Sequence, residues 1–217
     1  MKKLLTIVVL AAVMLTGCGN GSKGSDDGLG ANDSSVAAEA NTVQYIVQAE
    51  LANRGVSLGM TEEEVKSAEK DVNFVVDPSL TRVDTENTMK YIKSESPVEY
   101  NGRDAILSYC FVNDSLCMAS YNIEVNYTSS ELGSTPAYAL FLDYTLKYTD
   151  SLGNPGISET DNDNSLWTSY TNAWYEGNDI ATADYVIFMF TNQSKHQSFK
   201  DDYSDSFTIT FGTNNVG

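Results

Sequence analysis

"DAILSYCFVNDSLCMASYNIE", residues 104–124, decides how the rest of the chain is read, because two apolar runs flank one polar pair. Asn113 and Asp114 tolerate the left-handed backbone of a tight turn, so the stretch is expected to be a β-hairpin turning at Asn113-Asp114. Beyond it, Tyr121, Ile123, Val125 and Tyr127 alternate with Asn122, Glu124, Asn126 and Thr128, the pattern of a strand with one buried face. A turn at this position sets Cys110 and Cys117 opposite each other. Two residues in the turn give a hydrogen-bonded pair, and four give the closer non-hydrogen-bonded pair. Two readings of the cysteines stay open: a cross-strand disulfide, or two small buried hydrophobes sharing the face of Ala119, Tyr121 and Ile123.

Upstream, "SLGMTEEEVKSAE" (residues 57–69) is a helix start. Thr61 is the N-cap, Glu64 completes a capping box, and Met60 and Val65 are spaced for a hydrophobic staple. Glu62 and Glu63 place negative charge at the positive end of the helix dipole. The helix is expected to stop before Asp71-Val72-Asn73, and a strand is expected over residues 89–94.

Downstream the order returns. Thr135 caps and Pro136 opens a second helix, with Tyr138, Phe141, Leu142, Thr145, Thr149 and Leu152 expected on its buried face; Gly153 and Pro155 stop it. Strands are expected over residues 166–175, 184–191 and 206–211, the middle one apolar on both faces and so central. These elements predict an α+β fold of two tandem helix-plus-three-strand units with antiparallel sheet, residues 42–130 and 131–217.

The start of the chain carries an address. Lys2 and Lys3 precede an apolar run over residues 4–15 that is too short to span a bilayer but suits a secretory signal. Leu15-Thr16-Gly17-Cys18 resembles the lipobox of bacterial lipoproteins. The resemblance implies a signal peptide over residues 1–17, lipidation of Cys18 and an extracytoplasmic protein anchored to the cell membrane. Residues 19–41 are rich in Gly, Ser, Asn, Asp and Ala, too polar to bury a core, and are expected to be a flexible tether reaching about 25 Å.

"LGMTEEEVKSAE", a following strand and the hairpin resemble the helix-then-hairpin pattern of small outer-membrane-assembly lipoproteins and of β-lactamase-inhibitor-like domains, in which a "GMT-x-x-x-V" helix start packs on an antiparallel sheet. Here that motif is Gly59, Met60, Thr61 and Val65. The usual Gly-x-Pro after the helix is missing, and the loop over residues 71–87 is long. The resemblance implies a non-catalytic, partner-binding protein and carries over no binding residue.

Composition narrows the function. With 13 Lys plus Arg against 30 Asp plus Glu, the formal net charge is −17, more negative still once Lys2 and Lys3 leave with the signal. That field disfavours nucleic acid and anionic lipid as partners and permits a basic one. His196 is the only histidine and lies in a polar stretch, so His-based triads and metal sites have no material. Asp161 and Asp163 resemble the start of a calcium loop, but Leu166 and Asn172 stand where its Gly and Glu belong. No metal and no cofactor are expected. Asp201, Asp202 and Asp205 read as a solvated acidic loop.

Trp167, Tyr170, Trp174 and Tyr175 share one expected strand, with the two tryptophans on opposite faces. One indole is thereby a candidate platform for a sugar or a protein, core packing being the other reading. The function expected is a cell-envelope module binding an envelope protein. The alternative is a glycan-binding or glycan-cleaving protein with two carboxylates about 5–10 Å apart in a groove.

Overall fold

The computed structural model describes residues 42–83, 88–128, 135–161, 168–192 and 202–215. Cys18, the signal, the tether, Trp167, His196 and most of the calcium-like loop lie outside the described residues. The elements are α1 (Val43–Ala52), α2 (Glu62–Ala68), β1 (Phe74–Val76), β2 (Arg82–Val83), β3 (Thr88–Ser94), β4 (Val98–Tyr100), β5 (Arg103–Val112), β6 (Ser115–Thr128), α3 (Pro136–Leu152), β7 (Ile157–Asp161), β8 (Thr168–Tyr175), β9 (Asp184–Asn192) and β10 (Asp202–Thr213).

The hairpin turns where the sequence places it. Asn113 and Asp114 both have positive φ, 51° and 65°, the conformation that matches the twist of the flanking strands. The capping box of α2 is complete: Thr61 Oγ1 accepts from the Glu64 amide, and the Glu64 carboxylate accepts from the Thr61 amide at 2.8 Å. Helix α3 starts at the Thr135 cap with Pro136 in its first turn and ends at Gly153.

The tandem arrangement is corrected. All ten strands among the described residues belong to one antiparallel sheet, ordered β1-β3-β5-β6-β10-β9-β8-β7, with β2 beside β3 and β4 beside β5. The reason is the position of the last strand. β10 pairs with β6 from Asp202↔Thr128 to Gly212↔Met118, and on its other side with β9. No free edge divides the sheet near residue 130. The helices add to this: α1, from the beginning of the described chain, packs on β9 and β10 near its end, while α3 packs on β6, β9 and β10. The expectation also missed α1 and the short strands β1, β2, β4 and β7.

The core lies between the helices and one face of the sheet. Val43, Val47 and Leu51 of α1, at spacing i, i+4 and i+8, are buried there with Leu107, Tyr121, Phe188, Phe207 and Ile209. The buried face of α3 is rotated from the expected one. It consists of Ala137, Leu140, Phe141 and Tyr148, whereas Leu142 and Leu146 are exposed. Aromatic side chains decide that rotation: Tyr138, Phe141, Tyr144 and Tyr148 reach the rings of Phe190, Phe207 and Phe188, leaving no room for the leucines.

Candidate binding face and the polar cluster under the helices

Alternation along the strands gives the sheet two unlike faces. Leu107, Tyr109, Ala119, Tyr121, Phe188 and Phe207 point toward the helices. Their neighbours point away: Ile106 and Ser108 on β5, Met118, Ser120 and Asn122 on β6, Ser206, Thr208 and Thr210 on β10, and Met189 on β9, all half-buried. None of these central positions is charged, in a chain of net charge −17. The first charge met along β6 is the exposed Glu124. Asn122 Nδ2 donates to Thr208 Oγ1 at 2.9 Å, tying the two central strands together on this face. A surface of hydroxyl, amide and aliphatic groups can be desolvated without stripping water from an ion.

The residues singled out from the sequence fall elsewhere. Trp174 is 2% exposed, packs on Tyr148 and Phe188 on the helix side, and donates its indole N–H to the Gly153 carbonyl at 2.9 Å. Tyr170, on the same side, is half-buried against Tyr138 and Phe190. Tyr175 points to the other side, where its ring lies on Gly156 so closely that a Cβ there would meet ring carbon at 2.5 Å. The aromatic platform is therefore corrected for Tyr170 and Trp174, whose rings fill the core beneath α3. Asp205 is fully buried within β10, not part of a solvated loop.

Cys110 and Cys117 are buried and unbridged, and not directly opposite. Between Val112↔Ser115 and Cys110↔Met118 the ladder slips by one residue, so Cys117 is the extra residue of a β-bulge.

The sequence reading missed a polar cluster under the helices. Arg54, just past α1, grips Glu69, just past α2, through both Nε and Nη2, the latter at 2.6 Å, and Tyr109 Oη donates to the same carboxylate at 2.5 Å. Burial is the largest single influence and lowers the Arg54 pKa, but the hydrogen bonds to Glu69 and the charge of that carboxylate together reverse it and hold the guanidinium above its usual value. Burial, then the bond to Glu69, pushes the Tyr109 phenol up. Beside this group stands Glu50 of α1. Burial raises its pKa, and the Tyr121 hydroxyl and the charges of Arg54 and Lys147 recover only part of the shift. No short motif announces such a cluster, since its members come from residues 50–121.

A pH effect follows from Glu50. Its folded-state pKa lies above the unfolded value, so the folded state holds the proton more tightly. The resulting stabilisation is complete below the unfolded pKa and is lost as pH rises through the folded one. Glu50→Gln removes this dependence. The variant is expected to match the wild type in acid and to gain on it as pH climbs toward 7, read from urea midpoints across that range. A constant difference at every pH would remove Glu50 as the titrating group.

Cavities of modest size lie at the surface of the described residues. One, of about 330 Å³, lies between Val43, Leu152, Trp174 and Glu176; another, of about 130 Å³, lies between Asp71, Asn73 and Pro97. Neither is lined by two Asp or Glu side chains that face each other across a groove. Among the described residues no group of three or more His, Cys, Asp or Glu side chains is placed to hold a metal ion, and no helix is long and apolar enough to cross a membrane. Comparison with known proteins gives no match, whether to a family model, a curated protein or a solved structure.

Proposed function

We propose that this chain is an extracytoplasmic lipoprotein, anchored through Cys18, that acts as a non-catalytic binding module and offers the helix-free face of its sheet to an envelope protein. The supporting observation is the asymmetry of the sheet: both long helices cover one face, and the centre of the other carries uncharged, half-buried side chains on β5, β6, β10 and β9. The strongly negative chain around that face selects the partner's character. It favours a protein with a neutral contact patch and a basic rim, because an acidic one is repelled before contact.

Capture from solubilised envelopes tests the reading. Ser120 and Thr210 are cross-strand partners in the middle of the face. Ser120→Arg or Thr210→Arg buries a charge on docking and is expected to cut recovery of the partner at least tenfold, with the urea midpoint kept. Equal recovery by wild type and both variants would refute the face. For the anchor, Cys18→Ala is expected to move the protein from the membrane to the soluble extracytoplasmic fraction; retention in the membrane would refute lipidation at Cys18.

A further inference from the structure

The bulge in β6 gathers the two cysteines at one point of the sheet. Because Cys117 is the extra residue, it and Met118 both face Cys110, and all three side chains lie on the helix-free side with Tyr91, Val112, Leu80 and Met89. The Cys117 thiol donates to the Cys110 carbonyl at 3.3 Å, which holds its sulfur over the neighbouring strand at Cys110. Gly212 of β10 closes the site from the side. A Cβ at Gly212 would stand 2.8 Å from the Cys117 carbonyl oxygen and 2.6 Å from Tyr185 Oη, so neighbouring backbone and a tyrosine press directly on the bulge.

We propose that Cys110 and Cys117 are an oxidative modification site, closing an intrachain disulfide across the β5–β6 bulge by exchange with an organic disulfide. In the first step one cysteine sulfur, as thiolate, attacks a sulfur of the organic disulfide; a mixed disulfide forms and one organic thiolate leaves. The second cysteine then attacks the first, the Sγ–Sγ bond forms, and the second organic thiolate leaves. Two cysteine thiols are oxidised by two electrons, the organic disulfide is reduced to two thiols, and those thiols carry away both protons.

Burial sets the timing. In the folded protein the adjacent Cys117 thiol, together with burial, pushes the Cys110 thiol up, which suppresses the reactive thiolate. The exchange therefore belongs to folding, when β5 and β6 have paired but β9 and β10 have not yet sealed the bulge. Once formed, the bridge pins the bulge that aims Met118 onto the helix-free face. The inference stands apart from the docking role, because the chemistry needs only the hairpin and a disulfide reagent.

The test refolds the full chain from urea with excess glutathione disulfide, then blocks remaining thiols under denaturing conditions and digests with trypsin. Arg103 and Lys147 bound one tryptic peptide holding both cysteines, and Cys18 falls on another. The expected result is a 104–147 peptide two hydrogens lighter than the reduced form and unlabelled. A second arm treats the already folded, reduced protein with the same reagent, and bridging is expected to be at least tenfold slower. Two labels on that peptide after refolding, or linkage to Cys18 or to a second chain, would overturn the proposal, as would equal rates in the two arms. Cys117→Ser should leave Cys110 as a mixed disulfide with glutathione; protection of Cys110 in that variant without such an adduct would also overturn it.

Discussion

Phe188→Ala is expected to lower the unfolding free energy by about 3–5 kcal/mol, the largest effect of any single substitution considered for this protein. Phe188 sits on central strand β9 with no exposed surface. Its ring meets Tyr148 edge-on at 4.7 Å, Trp174 at 5.1 Å, Tyr144 at 5.8 Å and Phe207 at 6.0 Å. Those four rings come from α3, β8 and β10, whose backbones are held by the sheet ladder and by α3 itself, so they cannot collapse into the space a phenyl leaves. The cost is therefore the lost transfer energy plus most of the cavity term. Against a total stability of about 5–15 kcal/mol, such a loss removes a large part of the margin. Urea unfolding followed by tryptophan fluorescence measures it, since Trp174 is a direct neighbour. The control is Leu142→Ala on the outer face of α3, 41% exposed and expected to change stability by no more than about 0.5 kcal/mol. Equal shifts for the two variants would show that α3 does not dock through its aromatic face.

Arg54→Ala is expected to cost about 3 kcal/mol, the lower end of the range for breaking a buried ion pair, because the Arg54 side chain keeps 20% exposure while that of Glu69 keeps 6%. The damage falls on the partner left behind. Without the guanidinium, the Glu69 carboxylate keeps only the Tyr109 hydroxyl among the side-chain bonds that tie it down, in a site closed to water on most sides. The double variant Arg54→Ala, Glu69→Ala removes the stranded charge and is expected to be more stable than Arg54→Ala alone, with a coupling of roughly 1–3 kcal/mol in the cycle. A double variant as damaged as the sum of the singles would show that the two side chains act independently. Arg54 follows α1 and Glu69 follows α2, so this pair also ties the ends of the two helices together and, through Tyr109, to β5.

Local features were legible because their causes are local. The Thr61 and Thr135 caps, the Asn113-Asp114 turn and the alternation in β6 and β10 each depend on residues within a few positions of one another. Helix α1 carried a readable signal too, Thr42 followed by Val43, Val47 and Leu51, although nothing stronger than spacing marks it. The strands β1, β2 and β4, of two or three residues, are too short to show any period.

The chain by itself determined which residues could start helices, where the hairpin turns, and which positions along a strand share a face. Tertiary structure alone decided that β10 lies against β6, that α1 covers strands from the far end of the chain, and that Trp174 faces the core. The physical reason is that a period of two says a strand has an inside without saying which strand will be its neighbour. Pairing partners are chosen by the joint burial of side chains far apart in sequence, such as Ile123 and Phe207, which stand opposite each other in the finished sheet. The bulge at Cys117 has the same origin: Leu116 and Ala119 both turn inward to the core, and with two residues between them the strand can satisfy both only by carrying one residue more than its partner.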